Sequence, residues 1–207
     1  MIKYPKNLIN LMTLFSKFTG VGKKTAERFA FQIISWRERD REKLANTLLN
    51  LSTSIHNCPE CGCLIEESEC PFCSPIRDSS LICVVSSPRD VFVIEGTQKF
   101  TGIYHVLEGL LSPIDGINPD VLRIAELQKR ISKLKVRELI LAFDFTFEGD
   151  ATAIYLKNLL QEIPFLKISR LALGIPLGSS LDYIDSQTLS KSLLGRQSFY
   201  CLLYTSP

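Results

Sequence analysis

From Leu8 to about Ile55 apolar residues recur at intervals of three and four: Leu8, Leu11, Met12 and Phe15, then Ala26, Phe29, Ala30, Ile33 and Ile34, then Leu44, Leu48, Leu49 and Leu51. That period belongs to amphipathic helices and predicts three of them. The pattern breaks at Thr19-Gly20-Val21-Gly22, where glycine supplies backbone angles that a helix denies to other residues. Residues 56–75 are rich in Cys, Pro, Glu and Ser and lose the periodicity. A core of their own cannot hold them, so something else must.

From Leu81 the pattern changes to short apolar runs, Leu81–Val85, Val91–Ile94, Leu139–Phe143 and Ile168–Leu173, with helical stretches near Pro119–Leu134 and Ala151–Glu162. Strands buried on both faces and alternating with helices predict a mostly parallel α/β sheet. Gly174–Ser180, in which three of seven residues are Gly or Pro, reads as a loop leading to a short segment around Leu189–Leu194. With 207 residues and 45% hydrophobic content the chain has the material for more than one domain, which excludes disordered and fibrous classes. Its apolar runs fall short of the roughly 18–20 residues of a membrane span, and its N-terminus lacks the layout of a signal peptide. A soluble intracellular protein without membrane contact is expected.

Charge sharpens this picture once it is divided along the chain. Residues 1–57 hold ten Lys and Arg against four Asp and Glu, while the remainder holds fourteen against eighteen, so a net +2 hides a head of +6 on a body of −4. A polyanion partner for the head and a merely solvated basic surface both fit that asymmetry. The hairpin decides where to look. Gly20-Val21-Gly22-Lys23-Lys24-Thr25-Ala26-Glu27-Arg28 sets a Gly-x-Gly turn at a helix start with Lys23, Lys24 and Arg28 in its first two turns. Unpaired N–H groups at the positive end of a helix suit phosphate oxygens, and Lys24 and Arg28, four residues apart, share one face. The third glycine of a dinucleotide fingerprint and the Gly-Lys-Ser/Thr of a nucleotide loop are both missing. The spacing resembles a helix-hairpin-helix, with a tight helix connection as the plainer reading. Contact through phosphates alone carries no sequence preference.

Of seven cysteines, Cys58, Cys61, Cys70 and Cys73 form two Cys-x2-Cys pairs with an eight-residue spacer. Two such turns can present four thiolates at the corners of a tetrahedron, and Zn2+ is the expected ion, one per chain. Disulfides are the competing reading for a chain outside a reducing compartment. A closed four-thiolate site is structural, because no position is left for water. Cys63, Cys83 and Cys201 are not assigned as ligands, nor is His56, and Cys83 fits a strand core.

In this order the hairpin, the cysteine array and the α/β segment resemble the bacterial recombination mediator RecR family. The resemblance covers about residues 5–198. It also rests on Val84-Val85-Ser86-Ser87-Pro88-Arg89-Asp90, on Gly102-Ile103-Tyr104-His105-Val106-Leu107-Glu108-Gly109, and on Leu111-Ser112-Pro113-Ile114-Asp115-Gly116-Ile117. Phe147-Glu148-Gly149-Asp150-Ala151-Thr152-Ala153 and Leu171-Ala172-Leu173-Gly174-Ile175-Pro176-Leu177-Gly178 complete it. The implied fold class is α+β multidomain. It comprises a helix-hairpin-helix DNA-binding region over 1–55, a four-cysteine zinc finger over 56–76, a Toprim domain over 80–174 and an assembly segment over 175–200; residues 201–207 run past the family pattern and are expected to form a disordered tail.

Toprim domains hold magnesium with a Glu after one strand and an Asp-x-Asp after another. Here the matching positions are Ser86 and Asp144-Phe145-Thr146, so the triad keeps one carboxylate. A hard dication needs several. The resemblance therefore implies a non-catalytic mediator of recombinational repair that acts with RecO and RecF to help load RecA on single-stranded DNA. It implies binding of single- and double-stranded DNA through Gly20, Gly22, Lys23, Lys24 and Arg28, and partner contact through Asp144, Glu148 and Asp150. Ring tetramers and a cytoplasmic location, at the nucleoid during repair, are implied as well. The sequence departs from the family at Thr19, where proline is usual, and at Ser86. A magnesium-dependent phosphodiester enzyme using Asp144, Glu148 and Asp150 stays open beside this, as does a zinc-stapled scaffold that binds only proteins.

Overall fold

The helical period at the N-terminus becomes α1 (Lys6–Phe15), α2 (Lys23–Ser35) and α3 (Glu38–Ser54). In this computed structural model residues 4–196 are described, and they divide into two units, one ending at His56 and the other beginning at Asn57. The expected tail at 201–207 and Cys201 lie outside the described residues.

In the first unit α1 packs on α2 around Leu8, Ala26 and Ala30, where small side chains let the two helices approach. Phe15 meets Phe29 edge to face at 6.0 Å, and Tyr4 meets Phe31 at 5.9 Å. The Arg41 guanidinium donates to the Ile34 and Trp36 carbonyls at 3.0 and 2.8 Å, which satisfies the end of α2 where the chain turns into α3. Helix α3 buries none of its own residues; Leu48 and Leu49 are 59% and 73% exposed.

The boundary between the units falls within β1 (His56–Asn57), which with β2 (Leu64–Ile65) brackets the first cysteine pair. The main sheet of the second unit contains β3 (Asp78–Val85), β4 (Gly102–Val106), β5 (Glu138–Ala142) and β6 (Lys167–Arg170), all parallel, in the order β4-β3-β5-β6. Alternate residues feed two cores, as the two-residue period of a strand requires. Ile82, Val84, Leu139 and Leu141 face α5 (Ile124–Leu134) and α6 (Phe147–Leu160). Cys83, Val85, Tyr104, Val106 and Ala142 face the other way, onto the cysteine-rich segment and α4 (Pro88–Glu95).

Three sequence expectations need correction. Val91–Ile94 is not a strand but part of α4, because Ser87 and Asp90 form a reciprocal capping box and Pro88 sits in the first turn. Within α4, Val91 and Ile94, three apart, pack on the sheet, while Phe92 and Val93 are exposed. The strand expected there is β4 instead, whose Gly-Ile-Tyr-His-Val run conceals its burial behind polar residues. Helix α6 starts four residues before Ala151, with Thr146 as its cap accepting from the Gly149 N–H. The segment over 56–75 also shares a core after all, since Cys63, Ile65 and Phe72 pack with Tyr104 and Val106. The short C-terminal segment is α7 (Ser186–Leu194), again without a buried residue.

His105 on β4 is fully buried, its Nε2 2.8 Å from the Arg123 carbonyl and its Nδ1 3.2 Å from an Arg130 guanidinium nitrogen. A neutral ring protonated on Nε2 satisfies both contacts. Burial, with the Arg130 charge beside it, lowers its pKa to about 3. The unfolded chain takes up that proton near pH 6.5, so stability should fall as pH drops from about 6.5 toward 3, by up to ~1.4 kcal/mol per unit. Urea unfolding at pH 6.0, 5.5 and 5.0 should give a steeper loss for the native chain than for His105→Gln, and equal slopes would refute this.

Candidate functional site

The hairpin between α1 and α2 turns on Gly20, whose φ of +80° is left-handed and disfavours any side chain. Gly22 caps α2 with extended angles, and a Cβ on either glycine would meet nothing within 4 Å. The turn is therefore open to approach from outside. The first helical bond runs from the Ala26 N–H to the Gly22 carbonyl at 2.9 Å, which leaves the N–H groups of Lys23, Lys24 and Thr25 without helical partners. Lys23, Lys24 and Arg28 are all exposed. Glu27 on the same turn accepts from the Tyr4 hydroxyl at 2.6 Å.

The Sγ atoms of Cys58, Cys61, Cys70 and Cys73 lie within 4.8 Å of one another. Four sulfurs bound at about 2.3 Å stand about 3.8 Å apart, so the donor set fits a tetrahedral metal ion after a small contraction. Among the described residues this is the one convergent group of three or more metal-capable side chains. Its first turn is closed by the Gly62 N–H on the Cys58 carbonyl and the Cys58 N–H on the Cys63 carbonyl, both at 2.8 Å, and Gly62 has a φ of +76°. The second is a 3-10 turn over Pro71–Cys73, with the Cys73 N–H on the Cys70 carbonyl at 3.1 Å.

Contacts from β4 and from Arg123, just before α5, hold the array in place. The Val106 N–H on edge strand β4 donates to the Cys61 carbonyl at 2.8 Å, the Arg123 guanidinium reaches the Pro59 carbonyl at 2.6 Å, and Phe72 meets Tyr104 edge to face at 5.9 Å. The Cys61 carbonyl thereby occupies the outward N–H at the end of edge strand β4. Cys63 and Cys83 are buried free thiols outside the convergent group, and burial pushes the Cys83 thiol up to about 12.

At the C-terminal ends of β3 and β5 an open cleft of about 700 Å³ is lined by Ser86, Asp144, Thr146 and Glu148 together with Glu108 and Asp115. In open parallel α/β sheets such clefts are where ligands bind. Ser86 donates its hydroxyl to Asp90 at 2.9 Å, and Ser112 to Asp115 at 2.6 Å. Glu148 and Asp150 stand on the first turn of α6 rather than in a loop. Asp150 is taken by Arg170 at 2.5 Å, which also reaches the Asp144 carbonyl at 3.4 Å and stacks on Phe145 at 4.5 Å. Asp144 and Glu148 make no ion pair among the described residues. Glu108 and Asp115 lie in the Gly102–Gly109 and Leu111–Ile117 stretches, but no spacing in the sequence marks them as part of this cleft.

Gly149 explains the invasion of α6 into this corner, for a Cβ there would lie 2.1 Å from the Asp144 carbonyl oxygen. Gly149→Ala should push the α6 start away from β5 at a cost of about 1–3 kcal/mol. A thermal unfolding midpoint unchanged within a degree would contradict this close approach.

A basic helical hairpin, a convergent four-cysteine cluster and a parallel sheet with its cleft at the strand C-termini define a helix-hairpin-helix and Toprim protein. The sequence comparisons agree segment by segment: the helix-hairpin-helix of RecR matches residues 8–51, the Toprim domain residues 80–172 and the RecR C-terminal region residues 174–197. Recombination protein RecR of Protochlamydia amoebophila is 47% identical over 199 residues, covering 96% of this chain and all of that protein. The proteins of the same name from Chlamydia caviae and Chlamydia abortus are 46% and 45% identical over 203 and 201 residues, with the same coverage. The chain belongs to the RecR family of recombination proteins.

Proposed function

We propose that the chain is a DNA-binding recombination mediator without catalytic turnover, acting with RecO and RecF to help load RecA on single-stranded DNA. The observation that carries it is the open hairpin. Three N–H groups without a partner among the described residues and the exposed Lys23, Lys24 and Arg28 stand around a glycine turn that no described residue covers. Such a surface grips phosphates of single- or double-stranded DNA and ignores bases. Alanine at Lys24 and Arg28 together should weaken binding of a short labelled oligonucleotide by about 10-fold or more at moderate salt.

The cleft favours protein contact over phosphodiester chemistry. Ser86 offers a hydroxyl where Toprim enzymes offer a carboxylate, Asp150 is held by Arg170, and the remaining carboxylates do not converge as the four thiols do. A hard dication asks for more oxygen ligands than this. Asp144 and Glu148 are then free to meet a basic partner, with RecO the candidate that the family resemblance supplies. DNA incubated with magnesium and the protein should stay intact. Cleavage or joining that disappears in Asp144→Ala would overturn the non-catalytic reading.

Zinc is the ion we assign to the four thiolates, where it would hold the finger together and do no chemistry. Self-association completes the proposal. Leu48, Leu49 and Leu51 on α3, and Leu181, Tyr183, Leu193 and Leu194 near the C-terminus, are too many apolar side chains to leave in water. A ring, for which the family suggests a tetramer, would cover them and set several hairpins along one DNA strand. No described helix is long and apolar enough to cross a membrane, and the proposed site of action is the cytoplasm, at the nucleoid during repair.

A further inference from the structure

We propose that Arg130 is the buried counter-charge of the four-thiolate centre, so that metal loading stabilises the α/β sheet as well as the cysteine segment. This rests on the zinc reading given above. Arg130 lies on α5 and is 5% exposed. One guanidinium nitrogen donates to the Tyr104 carbonyl at 2.7 Å and stands 3.2 Å from His105 Nδ1, while the other points at Cys73 Sγ, 3.8 Å away. Its Nε is buried without a partner.

The charge of this arginine is otherwise unmet. Arg77, Arg123, Lys133, Lys167 and Arg170 each pair with a carboxylate, yet Arg130 is in no ion pair among the described residues. Glu60, which lines the same cavity of about 440 Å³ beside Cys73, pairs with Lys133 at 3.4 Å. A guanidinium cannot shed its proton, and a buried charge without a counter-charge is costly. A carbonyl and a neutral imidazole supply dipoles only. Of the described groups that Arg130 contacts, only the Cys73 sulfur can carry a negative charge.

That sulfur is an anion when the centre is loaded. Four thiolates around a dication carry a net charge of −2, which Arg130 partly neutralises from the sheet side. Without the dication, four thiolates would repel one another across less than 4.8 Å, so the counter-charge that Arg130 meets depends on the bound ion. Outer partners of this kind tune metal affinity by about 10- to 100-fold. Here the partner belongs to α5 and bonds to the Tyr104 carbonyl of β4, so the link runs from the metal into the sheet.

The test uses the full chain and zinc itself. Zinc affinity is measured by competition with a chromophoric chelator, and thermal unfolding is followed with and without zinc, for the native chain, Arg130→Met and Arg130→Lys. Arg130→Met should bind zinc about 10- to 100-fold more weakly, and Arg130→Lys, which keeps the charge, should recover most of the loss. Loaded Arg130→Met should melt below the loaded native chain, yet its zinc-free form should melt at or above the zinc-free native chain. An arginine with a purely structural role would lower both forms alike and leave zinc affinity unchanged, and that result overturns the inference. If Arg130→Met does not fold, Arg130→Gln is the neutral variant for the same comparison. A native chain that takes up no zinc overturns the metal assignment itself, whereas unchanged affinity in a variant of a zinc-binding chain overturns this inference alone.

Discussion

Chelating zinc from the protein at neutral pH is expected to lower its unfolding midpoint by roughly 8–16 °C. Free zinc a thousandfold above its dissociation constant stabilises a folded chain by about 4 kcal/mol. For a chain of this size each kcal/mol moves the midpoint by about 2–4 °C. The effect should spread beyond the cysteine turns, because Cys61 accepts the Val106 N–H at 2.8 Å and Phe72 packs on Tyr104. Amide exchange along β4 should quicken when the metal leaves, while β5, which lies between β3 and β6, keeps more of its protection. Cys58→Ser/Cys73→Ser should mimic the chelated protein and take up no zinc. An unchanged midpoint after chelation would mean that the core over Cys63, Ile65 and Phe72 holds the segment unaided.

Acidic substitution on α3 should have the second large effect, the loss of assembly without loss of fold. Leu48→Glu/Leu51→Glu removes two leucines that are 59% and 42% exposed in the single chain, so little within the chain depends on them. Burying a leucine fully is worth about 1.5–3 kcal/mol, and a two-fold interface counts each residue twice. The variant should therefore associate more weakly by a factor of about 1,000 or more. Light scattering should give the mass of one chain at concentrations where the native protein gives a multiple of it. Helix content should be unchanged. DNA affinity should drop with the mass, because separate hairpins no longer act together. A native protein that is itself a monomer would contradict the ring.

Features carried by repetition were legible in the sequence. The three helices of the first unit repeat one apolar face several times, and the cysteine pairs announce their geometry through spacing alone. What escaped were elements governed by single residues or by distant contacts. Val91–Ile94 has the composition of a strand, yet Ser87, Pro88 and Asp90 set a helix start immediately before it, and local capping outweighed the run. β4 was hidden because its buried polar residue, His105, is satisfied by the Arg123 carbonyl 18 residues away. The acidic cleft was only half visible, since Glu108 and Asp115 join Asp144 and Glu148 through the sheet, and Arg170 withdraws Asp150 through an ion pair that no pattern announces. Arg130 and Cys73, 57 residues apart, left no periodic trace at all.

The most direct test of a phosphate-gripping hairpin is the slope of log affinity against log salt for single-stranded DNA. Each phosphate contact contributes about −0.7 to that slope on single strands and about −0.9 on duplex. The native protein should give a steep slope, and Lys24→Ala/Arg28→Ala should make it shallower by about 1.4 for every subunit engaged, with the same loss for DNA of any sequence. An identical slope and affinity in the two proteins would contradict DNA binding through the hairpin.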